Sequence, residues 1–215
     1  MTTTARAVLR KVPRPRADAQ RNRERIVGAA REMFVEHGAD VPLDEIARRA
    51  GVGNATVYRN FPDRDALVRE VVKSVVDRVS DAAESALAEN GDAFEALEGF
   101  VHAAGDERIS ALCPMASSTF DRDHPDLVAA RTRIERTVVE VMDRAKASGQ
   151  LRDDVDVGDV LVAVAQLSRP PAGTGCFSAD RFVHRHLQLF LDGLRTPARS
   201  ALPGTAVTLE DLRQS

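Results

Sequence analysis

The 215-residue sequence predicts an all-α protein. Apolar residues recur at intervals of three and four along several segments, which is the spacing of one face of an α-helix. No segment shows the sustained alternation of apolar and polar residues that is typical of a strand. Turn-forming residues separate the segments, as at Gly51, Gly53 and Asn90-Gly91. We therefore expect helices joined by turns and loops.

Composition agrees with one or two compact globular units. Hydrophobic residues make up 43% of the chain and charged residues 29%, as in ordinary globular proteins. The longest apolar run, residues 160–165, is far shorter than the ~20 residues of a membrane span. The N-terminus lacks the apolar core of a secretory signal. Cys113 and Cys176 lack paired spacing, so we expect free thiols and a cytoplasmic protein.

The charges are distributed unevenly along the chain. Residues 1–72 contain 14 Lys and Arg against 10 Asp and Glu, whereas residues 73–215 contain 16 against 23. A basic N-terminal part on an acidic remainder is typical of a DNA-binding domain fused to a regulatory domain. Residues 1–19 are rich in Arg, and Pro13 and Pro15 argue against a helix there. This segment is therefore predicted to be a flexible basic arm, either a disordered leader or a contact to DNA.

Three short predicted helices follow the arm. Helical periodicity predicts the first over residues 21–37, and two shorter helices are expected at 43–50 and 54–60. Gly51 lets the backbone turn between them because it has no Cβ. Pro62-Asp63 ends the third helix and caps the fourth. Two short helices joined by a glycine turn indicate a helix-turn-helix, whose second helix enters the DNA major groove.

At these residues the sequence resembles the DNA-binding domain of the tetracycline-repressor (TetR) family of bacterial regulators. The matching positions are Ile46, Ala47, Ala50, Gly51, Val52, Thr56, Val57, Tyr58, Phe61, Arg64, Ala66 and Leu67. The likeness covers residues 20–70, and the rest of the chain is similar only in helical architecture. It implies an N-terminal three-helix DNA-binding domain over 20–66 and a C-terminal helical ligand-binding and dimerisation domain over 67–195.

The helices of the second domain are predicted from caps and breakers. Asp92, Asp123 and Asp156 are expected to open helices, and Gly105 and Gly149 to end them. The expected ranges are 63–88, 92–105, a short helix at 109–116 interrupted by Pro114, 123–149, 156–167 and 179–194. The tail 196–215 contains prolines and is expected to be weakly ordered.

The resemblance implies phosphate contacts from Thr56, Tyr58 and Arg64. Asn54, Ala55 and Arg59 lie on the exposed part of the reading helix, where Asn suits adenine and Arg suits guanine. Alternatively, the tyrosine is a half-buried anchor and Arg59 a phosphate clamp.

The sequence departs from the family pattern at Pro42, where many relatives carry a capping Ser or Thr. Proline suits a first helical turn but offers no hydroxyl to a phosphate. Nearby basic residues are candidate replacements, and we include Arg25 and Arg48 in the DNA-binding set. The other candidates are Arg21, Arg23 and Arg49.

The resemblance also implies a small-molecule pocket between the fourth and eighth helices. The candidate lining residues are Phe94, Leu97, Val101, Cys113, Met115, Phe120, Met142 and Gln166. For each of them an ordinary place in the core is the alternative. Met115, beside Pro114 on an irregular segment, is the preferred pocket residue. Few charged residues point inward, which favours an apolar or mildly polar ligand.

The last two helices are apolar on more than one face, which indicates contacts with both their own domain and a second subunit. The resemblance agrees, since family members usually dimerise through these helices. The predicted interface residues are Val160, Val164, Val183, Leu187, Phe190 and Leu194.

No metal site, cofactor or enzymatic activity is expected, because the sequence lacks ligand spacings and nucleophile motifs. The sequence predicts a homodimeric, ligand-responsive regulator that binds double-stranded DNA, most simply a repressor of an inverted-repeat operator. The alternative is the same fold acting as an interaction or sensor module without operator binding.

Overall fold

The computed structural model describes residues 15–37, 40–88, 91–108, 121, 123–168 and 182–214. Across these ranges the chain is helical, and the predicted all-α fold class is confirmed. No helix in these ranges is long and apolar enough to cross a lipid bilayer. The helices are α1 (Pro15–His37), α2 (Leu43–Ala50), α3 (Asn54–Asn60), α4 (Arg64–Ala88), α5 (Ala93–Asp106), α6 (Pro125–Ala147), α7 (Val157–Leu167), α8 (Val183–Leu194) and α9 (Leu209–Gln214).

Helix α1 begins earlier than the sequence predicts. It starts at Pro15, so residues 15–19 are helical rather than part of a flexible arm. A proline in the first turn of a helix needs no N–H partner, and its fixed φ suits that position. The expectation that Pro15 prevents a helix was therefore wrong. Residues 1–14 of the predicted arm lie outside the described residues.

Two hydrophobic cores share one helix. The first joins α1, α2 and α3 to the N-terminal half of α4, where Val71 and Val75 are fully buried. The second joins the C-terminal half of α4, with Val79 and Ala83, to α5, α6, α7 and α8. Leu127 of α6 also reaches the first core. The two cores are thus continuous through α4, which passes from one to the other.

Gly105 has a different role from the predicted one. Helix α5 continues through it to Asp106, so Gly105 does not end the helix. It is buried, and a Cβ at this position would lie 2.6 Å from Cδ1 of Leu187 on α8. The missing side chain therefore allows α8 to pack closely against α5.

Two of the three aspartates predicted to open helices in the second domain do so. The Asp92 carboxylate accepts the backbone N–H groups of Phe94 and Glu95, which satisfies two donors at the start of α5. Asp156 and Asp159 form a reciprocal capping box at the start of α7. The exception is α6, whose N-cap is His124 instead of the predicted Asp123. The cap shifts by one residue because Pro125 takes the first helical position.

The C-terminal tail docks on the second domain. Residues after Thr196 pack against α6 and α7 and end in α9, and the Arg213 guanidinium lies 2.6 Å from the Glu135 carboxylate. The Val207 N–H donates to the Asp159 carboxylate at 3.2 Å. The prolines in the tail prevent a long helix, but an extended segment can still dock. Sequence periodicity does not reveal such docking.

The tail contact yields a stability prediction. Gly158 of α7 lies directly under the Val207 carbonyl, and a Cβ there would collide with that backbone group. Gly158→Ala should therefore displace the tail and destabilise the protein by ~1–3 kcal/mol, the usual cost of overpacking. Gly99→Ala is the matched control, because Gly99 is helical and has open space around its Cβ position. It should be neutral or stabilising by ~0.5–1 kcal/mol. Urea denaturation followed by circular dichroism measures both, and equal stability of the two variants would contradict the docking.

Candidate nucleic-acid interface

The turn between α2 and α3 is built around Gly51. This residue has φ +64 and ψ 38, the left-handed conformation that glycine adopts at least cost. Its N–H and that of Val52 donate to carbonyls in the last turn of α2, which closes that helix. Helix α3 begins three residues later at Asn54. The predicted helix-turn-helix is present, with both helices at their expected residues.

Helix α3 presents most of its side chains to solvent. Val57 is its buried residue, and Thr56 and Asn60 are half-buried. The remaining predicted contact residues of this helix are exposed, namely Asn54, Ala55, Tyr58 and Arg59. Tyr58 is 53% exposed, so its ring does not anchor the helix in the core. The face of α3 opposite Val57 therefore forms a polar surface on which an aromatic ring is displayed.

Arg59 lies along its own helix. Its Nε donates to the Ala55 carbonyl at 3.0 Å and its Nη2 to the Thr56 hydroxyl at 3.1 Å. Both hydrogen bonds are exposed, so water or a ligand can replace either partner at small net cost. The guanidinium is thus available to a base edge or a phosphate.

The side chain of Arg64 is turned toward the interior of the helix-turn-helix. Its Nη1 donates to the Val41 carbonyl at 2.8 Å, and its guanidinium carbon lies 5.9 Å from the centre of the Phe34 ring. The side chain is therefore folded inward, linking the start of α4 to the segment before α2. Its basic character is visible in the sequence, but the direction of the side chain depends on the position of Phe34. The structure places Arg64 as a brace of the helix-turn-helix.

The arginines proposed to compensate for Pro42 differ in their partners. Arg25 donates to the Gly51 carbonyl at 3.2 Å, and Arg49 donates to Glu32 at 2.8 Å. Arg48 is exposed on α2, and within the described part of the chain its side chain makes no hydrogen bond or ion pair. Pro42 itself precedes α2 without a side-chain cap. Arg48 is consequently the α2 cation most accessible to a phosphate.

The predicted pocket residues separate into three groups. Phe94, Leu97, Val101 and Met142 are buried together in the second core. Gln166 is exposed on α7 and does not line that core, contrary to expectation. The other three candidates, Cys113, Met115 and Phe120, lie outside the described residues.

The six residues predicted to form the dimer interface are mostly internal. Four of its residues are buried in the second core of the same chain, namely Val160, Val164, Leu187 and Leu194. Val183 and Phe190 are half-buried. Three other apolar residues of this region are exposed instead. Val162 on α7 is 39% exposed, Phe182 just before α8 is 44% exposed, and Leu189 on α8 is 59% exposed. Helices that are apolar on two faces do not reveal from sequence which face is internal.

A histidine pair joins α5 to α8. The His102 and His184 rings stack, with their Nδ1 atoms 2.9 Å apart. Nε2 of His184 lies 2.8 Å from the Asp106 carboxylate, and Nε2 of His102 lies 3.0 Å from the Gln188 side-chain oxygen. Among the described residues, no group of three His, Cys, Asp or Glu side chains is arranged to hold a metal ion. These contacts therefore serve to fix α8 on α5.

Glu107 connects the two cores through charge. It follows α5, and its carboxylate accepts a hydrogen bond from Arg31 of α1 at 2.6 Å and two from Arg78 of α4 at 2.8 and 2.6 Å. Burial favours the neutral acid, but the hydrogen bonds from Arg78 and Arg31 outweigh it and hold the pKa of Glu107 below its ordinary value. We name this group the Glu107 clasp. It joins the end of α5 to α1 and α4.

Comparison with known proteins defines the class as a DNA-binding transcriptional regulator. The family model for bacterial regulatory proteins of the tetR family matches residues 26–71. A second model, the C-terminal domain of SbtR-like transcriptional regulators, matches residues 92–196. The first match spans the helix-turn-helix, and the second spans most of the regulatory core. The first match thus falls on the first hydrophobic core and the second match on the second core.

Solved structures agree over nearly their whole length. A TetR transcriptional regulator from Streptomyces coelicolor is 34% identical, covers 82% of this chain and 99% of its own, and has a TM-score of 0.61. A TetR regulator from Mycobacterium vanbaalenii is 33% identical, with 84% and 99% coverage and a TM-score of 0.63. The chain therefore belongs to the TetR family of bacterial transcriptional regulators. It is a DNA-binding regulator and not an enzyme.

More distant relatives share less. HTH-type transcriptional regulators of Staphylococcus aureus are 36% identical over 63 residues, which is 29% of this chain and 34% of theirs. The matched part thus spans about a third of those curated relatives. The TetR-like regulator LfrR from Mycobacterium smegmatis, solved in complex with proflavine, is 23% identical with a TM-score of 0.61. It covers 86% of this chain and 99% of its own, and it shares the fold.

The inward position of Arg64 makes its role testable. Arg64→Ala should destabilise the protein by ~1–3 kcal/mol, because the Val41 carbonyl loses its charged donor in a half-buried place. The exposed Arg48→Ala should change stability by no more than ~0.5 kcal/mol and should weaken DNA binding. Urea denaturation and fluorescence anisotropy with labelled duplex DNA measure the two effects. An Arg64→Ala protein of unchanged stability that has lost DNA affinity would restore the phosphate-contact assignment.

The Glu107 clasp predicts a pH dependence. A carboxylate whose folded-state pKa is lowered contributes stability above its unfolded pKa of ~4.3, and this contribution is lost as the pH falls through the folded value. Glu107→Gln should therefore be less stable than wild type at pH 7, and the difference should shrink below about pH 4. Glu140→Gln is the control, because Glu140 pairs with Arg144 on an exposed surface. A wild-type to Glu107→Gln difference that stays constant from pH 7 to pH 3.5 in urea denaturation would contradict the clasp.

Proposed function

We propose that the protein is a homodimeric repressor that leaves an inverted-repeat operator when a small molecule binds its regulatory core. The observation that carries this proposal is the division of one continuous helix, α4, between two hydrophobic cores. A rearrangement of the second core shifts α4, and α4 is packed against the helix-turn-helix. Binding at one site thereby changes affinity at the other, as allosteric coupling requires.

The DNA contact surface consists of the exposed side of α3 and the adjacent end of α2. Asn54 and Arg59 supply side chains suited to adenine and guanine edges in the major groove. Thr56, Tyr58 and Arg48 supply hydroxyl groups and a cation for flanking phosphates. Exposure of Tyr58, Arg59 and Arg48 supports this surface. Ala55, also exposed, is small enough for the backbone of α3 to approach a base.

The dimer surface is the outer side of α7 and α8. Phe182, which directly precedes α8, and Leu189 of α8 are both exposed, and Val162 is exposed on α7. Large apolar groups exposed on neighbouring helices favour a self-complementary contact between two copies. Two copies related by a two-fold axis present two reading helices, and half-sites about 34–36 Å apart fit that arrangement. An inverted repeat follows from this symmetry.

The effector is an apolar or mildly polar small molecule. Phe94, Leu97, Val101 and Met142 provide an apolar wall between α5 and α6. LfrR, which shares the fold, was solved in complex with proflavine. The Glu107 clasp lies at the end of α5, so displacement of α5 also pulls on Arg31 of α1. These features support release from DNA by movement of α5 and α4 together.

Selection from random duplex DNA tests the operator. The wild-type protein should enrich an inverted repeat, and Tyr58→Ala combined with Arg59→Ala should enrich none. Absence of any enriched sequence with the wild type would favour the alternative of a sensor or interaction module. Compounds that raise the melting temperature should then be added to the operator complex. Hits that bind the core and never release DNA would contradict ligand-controlled repression.

The revised dimer surface gives a specific prediction. Leu189→Asp should raise the dimer dissociation constant by at least ~100-fold, because it places a charge in an apolar contact. Its fold should remain intact, since Leu189 is 59% exposed in the single chain. Val128→Asp, at an exposed position of α6, is the control, and this variant should remain dimeric. Sedimentation velocity at micromolar concentration measures the oligomeric state of both variants. A dimeric Leu189→Asp protein would exclude this surface.

A further inference from the structure

The reading helix does not hold its own orientation. Helix α3 has seven residues and a single buried residue, Val57. A helix of this length is unstable in isolation and depends on contacts from its neighbours. Its N-terminal end follows the Gly51 turn, and its C-terminal end leads into Phe61, which is buried. The orientation of α3 must therefore be set by groups that contact its two ends.

Arg23 of α1 contacts the C-terminal end. Its Nη1 donates to the Asn60 carbonyl at 3.1 Å, and its guanidinium carbon lies 4.5 Å from the centre of the Phe61 ring. The last carbonyls of a helix lack partners in the helix and carry partial negative charge, so a cation is favourable there. The stacking on Phe61 uses the flat face of the same group. Arg23 thus fixes both the end of α3 and the residue that follows it.

The same guanidinium also contacts α4. Its Nη2 donates to the Glu70 carboxylate at 2.7 Å. The two side chains are 35% and 32% exposed, so the pair is partly shielded from solvent. One planar group therefore joins α1, the end of α3 and the second turn of α4. Lysine has the charge but not the planar fork that these three contacts need.

We infer that Arg23 is a positioning residue for DNA recognition: it sets the tilt of the reading helix and, through Glu70, makes that tilt follow α4. Its donors are directed at Asn60 and Glu70, so it acts without touching a phosphate. This inference rests on the proposed operator binding. Arg25, two residues along α1, differs because it donates to the Gly51 carbonyl and has no such link to α4.

The first experiment compares operator affinity over a range of salt concentrations. Arg23→Gln should weaken binding about tenfold and leave the slope of log affinity against log salt unchanged, because no phosphate contact is lost. Arg48→Gln should reduce that slope by about one. Arg23→Lys should not restore affinity, and Glu70→Gln should weaken binding without adding to the effect of Arg23→Gln. A lower salt slope in Arg23→Gln, or full rescue by lysine, would overturn the inference.

The second experiment needs no DNA. The N–H of Phe61 donates to the Val57 carbonyl at the end of α3. Loss of Arg23 should loosen this end of the helix, so amide hydrogen exchange at Phe61 in the free protein should be about tenfold faster in Arg23→Gln than in wild type. Arg25→Gln is the matched control and should leave that amide unchanged. If the wild type binds no operator, the operator function fails while this measurement still tests the positioning role. Unchanged exchange at Phe61 in Arg23→Gln would overturn it.

Discussion

The structure depends on the packing of α4 in two cores. Val71 and Val75 face the core of the DNA-binding helices, and Val79 and Ala83 face the core formed with α5 and α6. The helix contains no glycine or proline between Arg64 and Ala88, so it has no built-in hinge. A rigid element shared by two cores cannot shift in one without straining the other, because packed interiors resist deformation. This constraint lets a change in the second core be transmitted to the helix-turn-helix.

Charged groups strengthen this arrangement at the surface of α4. Arg133 of α6 contacts Asp77, Asp81 and Glu84, and the hydrogen bonds that it donates to Glu84 and Asp81 raise the pKa of its guanidinium. Thr137 donates to the Glu84 carboxylate in the same network. Single exposed ion pairs contribute little, but a network around one guanidinium holds α6 in register with α4. The Glu107 clasp adds a second polar connection, from α5 to α1.

Local signals predicted the helix-turn-helix almost to the residue. The turn after α2 needs a left-handed conformation, which Gly51 adopts readily. Pro62-Asp63 favours the end of one helix and the start of the next. These boundaries therefore depend on a few neighbouring residues. The failures depended on distant contacts. The sequence contains Gly105 and Arg64, but their roles follow from Leu187 and Phe34, which lie far away along the chain. The docking of the tail and the internal face of α8 are not visible in the sequence for the same reason, since both are tertiary properties.

The most direct test of the shared-helix account is residue-resolved hydrogen exchange along α4 in the free protein. Amides around Val75 and Val79 lie on either side of the boundary between the cores. We predict opening free energies that agree within about 1 kcal/mol, because one cooperative unit should open as a whole. A difference of several kcal/mol between the two halves of α4 would contradict mechanical coupling through this helix.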